Sequence, residues 1–551
     1  MAATTTPEAI MSDTRTSTPS TLEHAAEDHE RDPGALEAGQ PPGYTENEKV
    51  PGEPEDVRIP SSGSGNEQGS GNETMGYDEF EVWWEKPEDQ DPENPMNWPD
   101  RTKWMNILAM SGITFLVPGG ARPLASSMFA PAIPEVLLAF NTTSTTFATF
   151  VVSIFVLGFA FGPLVLAPLS EIYGRVIVYN VTNVLFLVFT IMCALAQDTG
   201  MLLACRFLAG FAGVATITCG SGTIADIMPR ERRGGAMALW SLGPILGPMI
   251  GPIVGGYLTA AAGWRWVFWL IAIAFGIVTI FAFFVMRETY APVILGRKAA
   301  RLRKSTGNPA YHSRLSSDLT TKQLFAHSIV RPLKMFCFSP IVAAMCIYIA
   351  VMYGLLYILF TTFTFVFEGV YGFSTSSAGL AFIGSGIGTF CGLAFVAVFS
   401  DRTLKRRAAR GKTITPEDRL PFLITVPAAL SLPIGLFMYG WGVEYRVHWI
   451  LAQIGTTFIG FGMIAILMCI QTYLVDAYTL HAASVTAANA VLRSLLGALL
   501  PLGGLKLYDA LGYGWGNSLL AFIALALAPT PWLFGMFGER IRTNPKFQVS
   551  F

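Results

Sequence analysis

The residues of this chain whose types and spacing could do chemistry are charged and amide side chains set inside or at the edges of apolar stretches. Arg206 stands in Leu202-Leu203-Ala204-Cys205-Arg206-Phe207-Leu208-Ala209-Gly210, and Asn489 and Arg493 stand four apart in another apolar run. A spacing of four puts two side chains on one helical face. Glu171 and Arg175 share that spacing in Pro168-Leu169-Ser170-Glu171-Ile172-Tyr173-Gly174-Arg175, so their opposite charges can meet if the turn between them stays helical. Asp226 and Asp476 lie near the ends of other apolar runs, as does the Ser400-Asp401-Arg402 triplet. Ion pairing, hydrogen bonding and proton exchange are the chemistry open to such groups. Bond-breaking catalysis is not indicated: all six histidines (His24, His29, His312, His327, His448 and His481) fall in tails or loops, and no catalytic constellation is visible. Neither metal nor cofactor is expected, because the seven cysteines lie in or beside apolar stretches without Cys-x-x-Cys spacing.

The elements that must position these groups are helices in lipid. Of 551 residues 52% are hydrophobic and only 14% charged, against about 25% in an ordinary soluble domain. A spanning helix needs about 20 apolar residues, and twelve stretches qualify, from residues 106–128 to residues 517–537. The expected fold is therefore an all-α membrane protein of twelve spans in two six-helix bundles, residues 98–286 and 340–537. A basic linker, residues 287–339, joins them. Residues 1–97, rich in Ser, Thr, Pro, Gly and Glu, read as a disordered tail, and residues 538–551 as a second tail. No signal peptide is evident, since the first apolar run begins after Trp104.

Lys and Arg concentrate in alternate loops, at Arg175, at Arg230 to Arg233, in residues 287–334 and from Arg402 to Lys412. Loops of that kind stay cytoplasmic, so both termini are expected there. Asn141-Thr142-Thr143 then falls outside as a glycosylation sequon at Asn141. The net charge of -2 gives no field for nucleic acid. Partners should be the lipid bilayer and a small molecule.

Two further patterns concern packing and binding. From Gly243 to Gly256 the chain repeats Gly-Pro every four residues, with Gly247, Pro248, Gly251, Pro252, Gly255 and Gly256 in its core. Glycines at that spacing line one helical face and let another helix approach to backbone contact, while the prolines remove hydrogen bonds and bend the helix. In the seventh span Tyr353, Tyr357 and Phe360 could line a pocket for a flat apolar cargo or simply pack.

The ending Gly251-Pro252-x-x-Gly255-Gly256 resembles the antiporter motif of the major facilitator superfamily, and within it the fungal drug:proton antiporters with twelve spans. Pro168 to Arg175 resembles the superfamily's gating-loop motif, with Glu171 at the usual Asp position, and Ser400-Asp401-Arg402 is its echo in the second half. The Arg206 segment is similar to the motif whose embedded Arg takes part in proton coupling, and Tyr473 to Tyr478 with Ala487 to Arg493 resemble the C-terminal half of the same antiporters. The resemblance covers about residues 97–537, broken by an apparent insertion at residues 118–123 in the first span. It implies rocking of two bundles around a central site, proton-driven export of drugs, fungicides or toxins, and the cell membrane, with the vacuolar membrane as the other location. Glu171 and Arg175 would form a gate latch, and Arg206, Glu171 and Asp226 would be the candidate proton carriers. Two alternatives stay open: uptake or exchange of polyamines or other nutrients, which the scarcity of cavity acids disfavours, and a membrane receptor, which would need a folded soluble domain.

Overall fold

A backbone crossing lipid has no water to bond, so it closes its hydrogen bonds within itself as helix. The computed structural model describes residues 80–85, 87–88, 90–116, 128–229, 232–315, 321–409, 411, 415–478 and 482–544, and these are predominantly helical. A two-residue strand β1 (Glu81–Val82) comes first, then α1 (Asp100–Leu116), α2 (Ile133–Ala139), α3 (Thr145–Tyr173), α4 (Arg175–Ala194), α5 (Thr199–Gly213), α6 (Ala215–Ile227), α7 (Arg233–Ala262) and α8 (Trp264–Val285). The segment that follows holds α9 (Ala291–Thr306), β2 (His312–Ser313) and α10 (Thr321–Phe338). The second half contains α11 (Pro340–Gly369), α12 (Thr375–Ala378), α13 (Ile383–Ala408), α14 (Phe422–Glu444), α15 (Trp449–Ala477), α16 (Ala482–Leu499), α17 (Gly504–Leu527) and α18 (Thr530–Arg542).

Nine stretches among the described residues are long and apolar enough to cross a membrane, and Ala130–Ala139 and Ile250–Ala262 are shorter apolar helices. The interruption at residues 118–123 lies outside the described residues. On α8, Trp266, Leu270, Ile273, Ile277, Ile280 and Phe284 recur every three or four residues and are all exposed, Phe284 at 80%. A continuous apolar face of that kind is untenable in water and natural against lipid.

Buried side chains gather into one large cluster running from Met335 to Ala524, joined by Ala130 and Val156, and three smaller ones between Trp98 and Met286. Contact between the halves runs chiefly through α3 against α16 and through α7 against α12 and the 3-10 turn Gly379–Phe382. The last two apolar stretches are divided at Gly512, whose φ of 72° breaks the helix inside α17. The amides freed there, of Tyr513 and Gly514, donate to the Glu444 carboxylate at 2.8 and 3.1 Å.

The reading of a disordered tail through residue 97 is corrected for residues 80–97. Glu81–Val82 pairs in parallel with His312–Ser313. Lys298 on α9 reaches Glu85 at 3.1 Å and the buried Asp91 at 3.8 Å, while Arg301 reaches Glu93 at 2.9 Å. Val82, Trp84 and Trp98 are buried. Apolar and aromatic residues planted in a polar tail supply the buried surface that its composition as a whole lacks. These residues strap the end of the tail to α9 and β2.

Candidate functional site

Gly174 organises one end of the first half. It sits at φ 103° and ψ 157° between α3 and α4, a region that essentially only glycine enters. The helix therefore stops at Tyr173 and restarts at Arg175, and the condition on which Glu171 and Arg175 would meet at helical spacing fails. Arg175 Nε instead lies 3.5 Å from Asp226 Oδ2 at the end of α6. Its Nη1 donates to Ser170 Oγ at 3.0 Å, and its guanidinium stacks 4.9 Å from the centroid of Tyr290. Burial, with the Glu171 charge nearby, pushes the Tyr290 phenol above its ordinary value, so it remains a neutral ring. Glu171 lies within electrostatic reach of both Arg175 and Arg331 on α10.

Glu288, just beyond α8, completes the cluster. Its carboxylate accepts the Arg175 amide at 2.9 Å and the Val176 amide at 3.4 Å, satisfying the free N-terminus of α4 from 113 residues away. Thr289 Oγ1 donates to Asp226 Oδ2 at 3.4 Å. Sequence reasoning missed Glu288; its signal was an acid directly after an apolar span in an otherwise basic segment. Beside the cluster opens a cleft of about 560 Å³ lined by Glu171, Tyr173, Ile177, Tyr290, Val293 and Arg297. A Cβ on residue 174 would collide with the Glu288 carboxylate. Gly174→Ala should thus cost about 1–3 kcal/mol from the backbone alone and unseat the cap as well. A melting temperature measured in detergent should fall; an unchanged one would contradict this role for Gly174.

Arg206 on α5 is 1% exposed. Its Nε donates to the Val151 carbonyl of α3 at 2.6 Å, and its guanidinium carbon lies 4.4, 5.4 and 5.7 Å from the ring centroids of Phe129, Phe155 and Phe268. Nη2 has no hydrogen-bond partner among the described residues. A void of about 10 Å³ adjoins it, edged by Thr190 and Cys193, at the threshold for a single water. The cation is held by rings and one carbonyl.

The Gly-Pro stripe lies on α7, which stays continuous through it. Gly247, Gly251 and Pro252 are buried. A Cβ on Gly255 would strike the Met128 carbonyl, and one on Gly256 would come within 2.9 Å of Thr375 O and 3.1 Å of Ser376 O. Across the contact, a Cβ on Gly379 would strike the Pro252 carbonyl. The stripe thus joins the halves backbone to backbone. The side chains of Pro248 and Asp401 lie outside the described residues; Arg402 is exposed.

In the second half, Asp476 is corrected as a cavity candidate. It stands in the last turn of α15, where Arg419 Nε pairs with it at 2.7 Å. Tyr353, Tyr357 and Phe360 are buried, with Tyr353 and Tyr357 centroids 4.9 Å apart and Tyr357 and Phe360 5.8 Å apart. Asn489 Nδ2 donates to Gln471 Oε1 at 2.9 Å, and Gln471 Nε2 to Thr486 Oγ1 at 3.1 Å. Arg493 lies 5.1 Å from the Tyr353 ring centroid. Asn141 is exposed in a turn at φ 50°.

Comparison with known proteins agrees with this architecture. The Major Facilitator Superfamily profile matches residues 120–501. The chain is 52% identical to MFS-type transporter penM of Penicillium rubens over 85% of its own length and 91% of that protein's. It is 48% identical to efflux pump radE of Floropilus chiversii, over 85% and 86% respectively. Among solved structures, a bacterial homolog of the human lysosomal transporter Spinster, inward-facing and unoccupied, superposes with a TM-score of 0.58 at 15% identity, covering 81% of this chain and 100% of that one. A D-xylose-proton symporter superposes at 0.55, also at 15% identity, covering 78% and 98%.

Proposed function

The chain belongs to the Major Facilitator Superfamily, and from that premise we propose that it is a proton-driven exporter of apolar or amphipathic small molecules, such as toxins, fungicides and drugs. It is a multi-pass membrane transporter and not an enzyme. In this reading two six-helix bundles, residues 98–286 and 340–537, rock about a central site in the cell membrane, with both termini cytoplasmic and a glycan at Asn141 outside. The likeness to a relative named an efflux pump supports the direction of transport.

The observation that carries proton coupling is the Arg175–Asp226 pair, held where α3 ends, α4 begins, α6 ends and α8 gives way to α9. Protonating Asp226 removes its charge and leaves Arg175 to Ser170, Tyr290 and the nearby Glu171, so the junction is held with different strength in the two states. Only such differential interaction shifts a conformational equilibrium. The linkage runs both ways: a conformation that loosens the pair also changes the proton affinity of Asp226.

Inside-out vesicles bearing the full chain test this. They should accumulate a lipophilic fluorescent probe, 3-hydroxy-2-naphthoate or its methyl ester, when a proton gradient is imposed, and Asp226→Asn should cut gradient-driven accumulation roughly tenfold or more. Accumulation that survives collapse of the gradient would remove proton coupling. Movement in the opposite direction would favour uptake of a nutrient or polyamine.

A further inference from the structure

Arg493 stands inside α16, a helix built otherwise of Ala, Val, Leu, Gly, Ser, Thr and Asn. A guanidinium carries five N–H donors in a rigid fork, yet no described residue accepts a hydrogen bond from it, and no described carboxylate pairs with it. Its Nε is buried without a partner. The contact it does make is with the face of the Tyr353 ring on α11, which attracts the cation without using its donors.

The polar neighbours are committed elsewhere. The Asn489 amide donates to Gln471 and the Gln471 amide to Thr486, which leaves Asn489 Oδ1 as a buried acceptor with no partner. One turn of α16 thus presents an unused cation and an unused acceptor about 5–6 Å apart at Cβ. Arg206 is different in kind, because its Nε is spent on the Val151 carbonyl and three rings enclose it. A cation in mid-span is costly and is by default a functional group. The missing element at Arg493 is an anion, and the fork geometry suits one with two oxygens.

We propose that the cargo is a lipophilic organic acid, carried as its anion, and that Arg493 binds the acidic group while Asn489 Oδ1 accepts from a hydroxyl or N–H beside it. The Tyr353 ring backs the guanidinium where α11 and α16 approach closely, since a Cβ on Gly497 would come within 2.8 Å of that ring, so the acid reaches Arg493 from the side away from that contact. This rests on the exporter reading for the direction of transport only; recognition of the acid stands on Arg493 itself.

The test uses the full-length protein in detergent and the fluorescent probe 3-hydroxy-2-naphthoate, compared with its methyl ester. The wild type should bind the acid roughly ten- to a hundredfold more tightly, the range of a hydrogen bond to a charged group. Arg493→Gln should remove that preference, and Arg493→Lys, which keeps the charge without the fork, should retain part of it. Equal affinities in the wild type, no binding of the acid, or a preference that survives in Arg493→Gln would each overturn the inference. Should Arg493→Gln fail to fold, the wild-type comparison and Arg493→Lys decide. In proteoliposomes, gradient-driven transport of the ester but not the acid would sink this inference and leave the exporter reading intact. Absence of gradient-driven transport with either probe would sink the exporter reading, and the binding comparison would still decide the other.

Discussion

Gly379→Val should slow transport by roughly five- to 150-fold. The Cβ of a residue at 379 falls on the Pro252 carbonyl and 3.0 Å from Ile253 Cα, and both are backbone atoms of α7. A flexible side chain could swing away from such an intrusion; a helix backbone must move as a whole. Across the same contact Gly256 faces Thr375 O and Ser376 O, so the surface has no slack on either side. Overpacking of this kind costs about 1–3 kcal/mol, or roughly five- to 150-fold against the state in which α7 and α12 touch. A transporter that must make and break this contact in each cycle then lingers with it broken. Export from vesicles should fall by that factor, while the variant still inserts and binds cargo. Export at the wild-type rate would show that the contact is never part of the cycle.

Arg206→Met should have opposite effects on stability and on transport. Removing a charge from water is costly, and Arg206 recovers that cost through one 2.6 Å hydrogen bond and three aromatic faces, with no carboxylate beside it among the described residues. Replacing buried charge by an apolar side chain of similar volume is often neutral or stabilising by about 1–4 kcal/mol. The long, unbranched methionine can fill the slot between Phe129, Phe155 and Phe268 and makes favourable sulfur contacts with rings. The melting temperature should therefore hold or rise. Gradient-driven export should nevertheless be lost, since a chain that keeps so expensive a group in place of an apolar one gives up stability for activity. A variant that exports normally would reduce Arg206 to packing. One that fails to fold would show that the cation's contacts outweigh its desolvation.

The helices were legible because span length and hydropathy are imposed by the bilayer itself, whatever the tertiary packing: α8, α11 and α15 fall where the apolar runs put them. The charged cluster around Arg175 was legible only in its membership. Arg175 and Asp226 both stood out as charges at span ends, but their pairing depends on Gly174 ending the helix, and the four-residue spacing from Glu171 to Arg175 suggested a different partner. Glu288 was hidden because its role is set by a fold that brings it to α4 from 113 residues away. Asp476 looked like a cavity group from its place near an apolar run, whereas Arg419 had to be known as a neighbour before its pairing could be seen. The strap failed for a compositional reason. Averaging over a long polar tail conceals Phe80, Val82, Trp83 and Trp84, four aromatic or β-branched residues in five positions.

That strap also imposes an order on synthesis. Its ion pairs join residues 213 and 208 positions apart, Lys298 with Glu85 and Arg301 with Glu93. Entropy alone is little obstacle, because the cost of closing a loop grows only with the logarithm of its length. Timing is the constraint: residues 80–98 leave the ribosome early and must wait, unpaired, until α1 to α8 have been made and α9 and β2 have followed. Closure of Glu81 onto His312 therefore cannot come before the first half of the transporter has been completely translated.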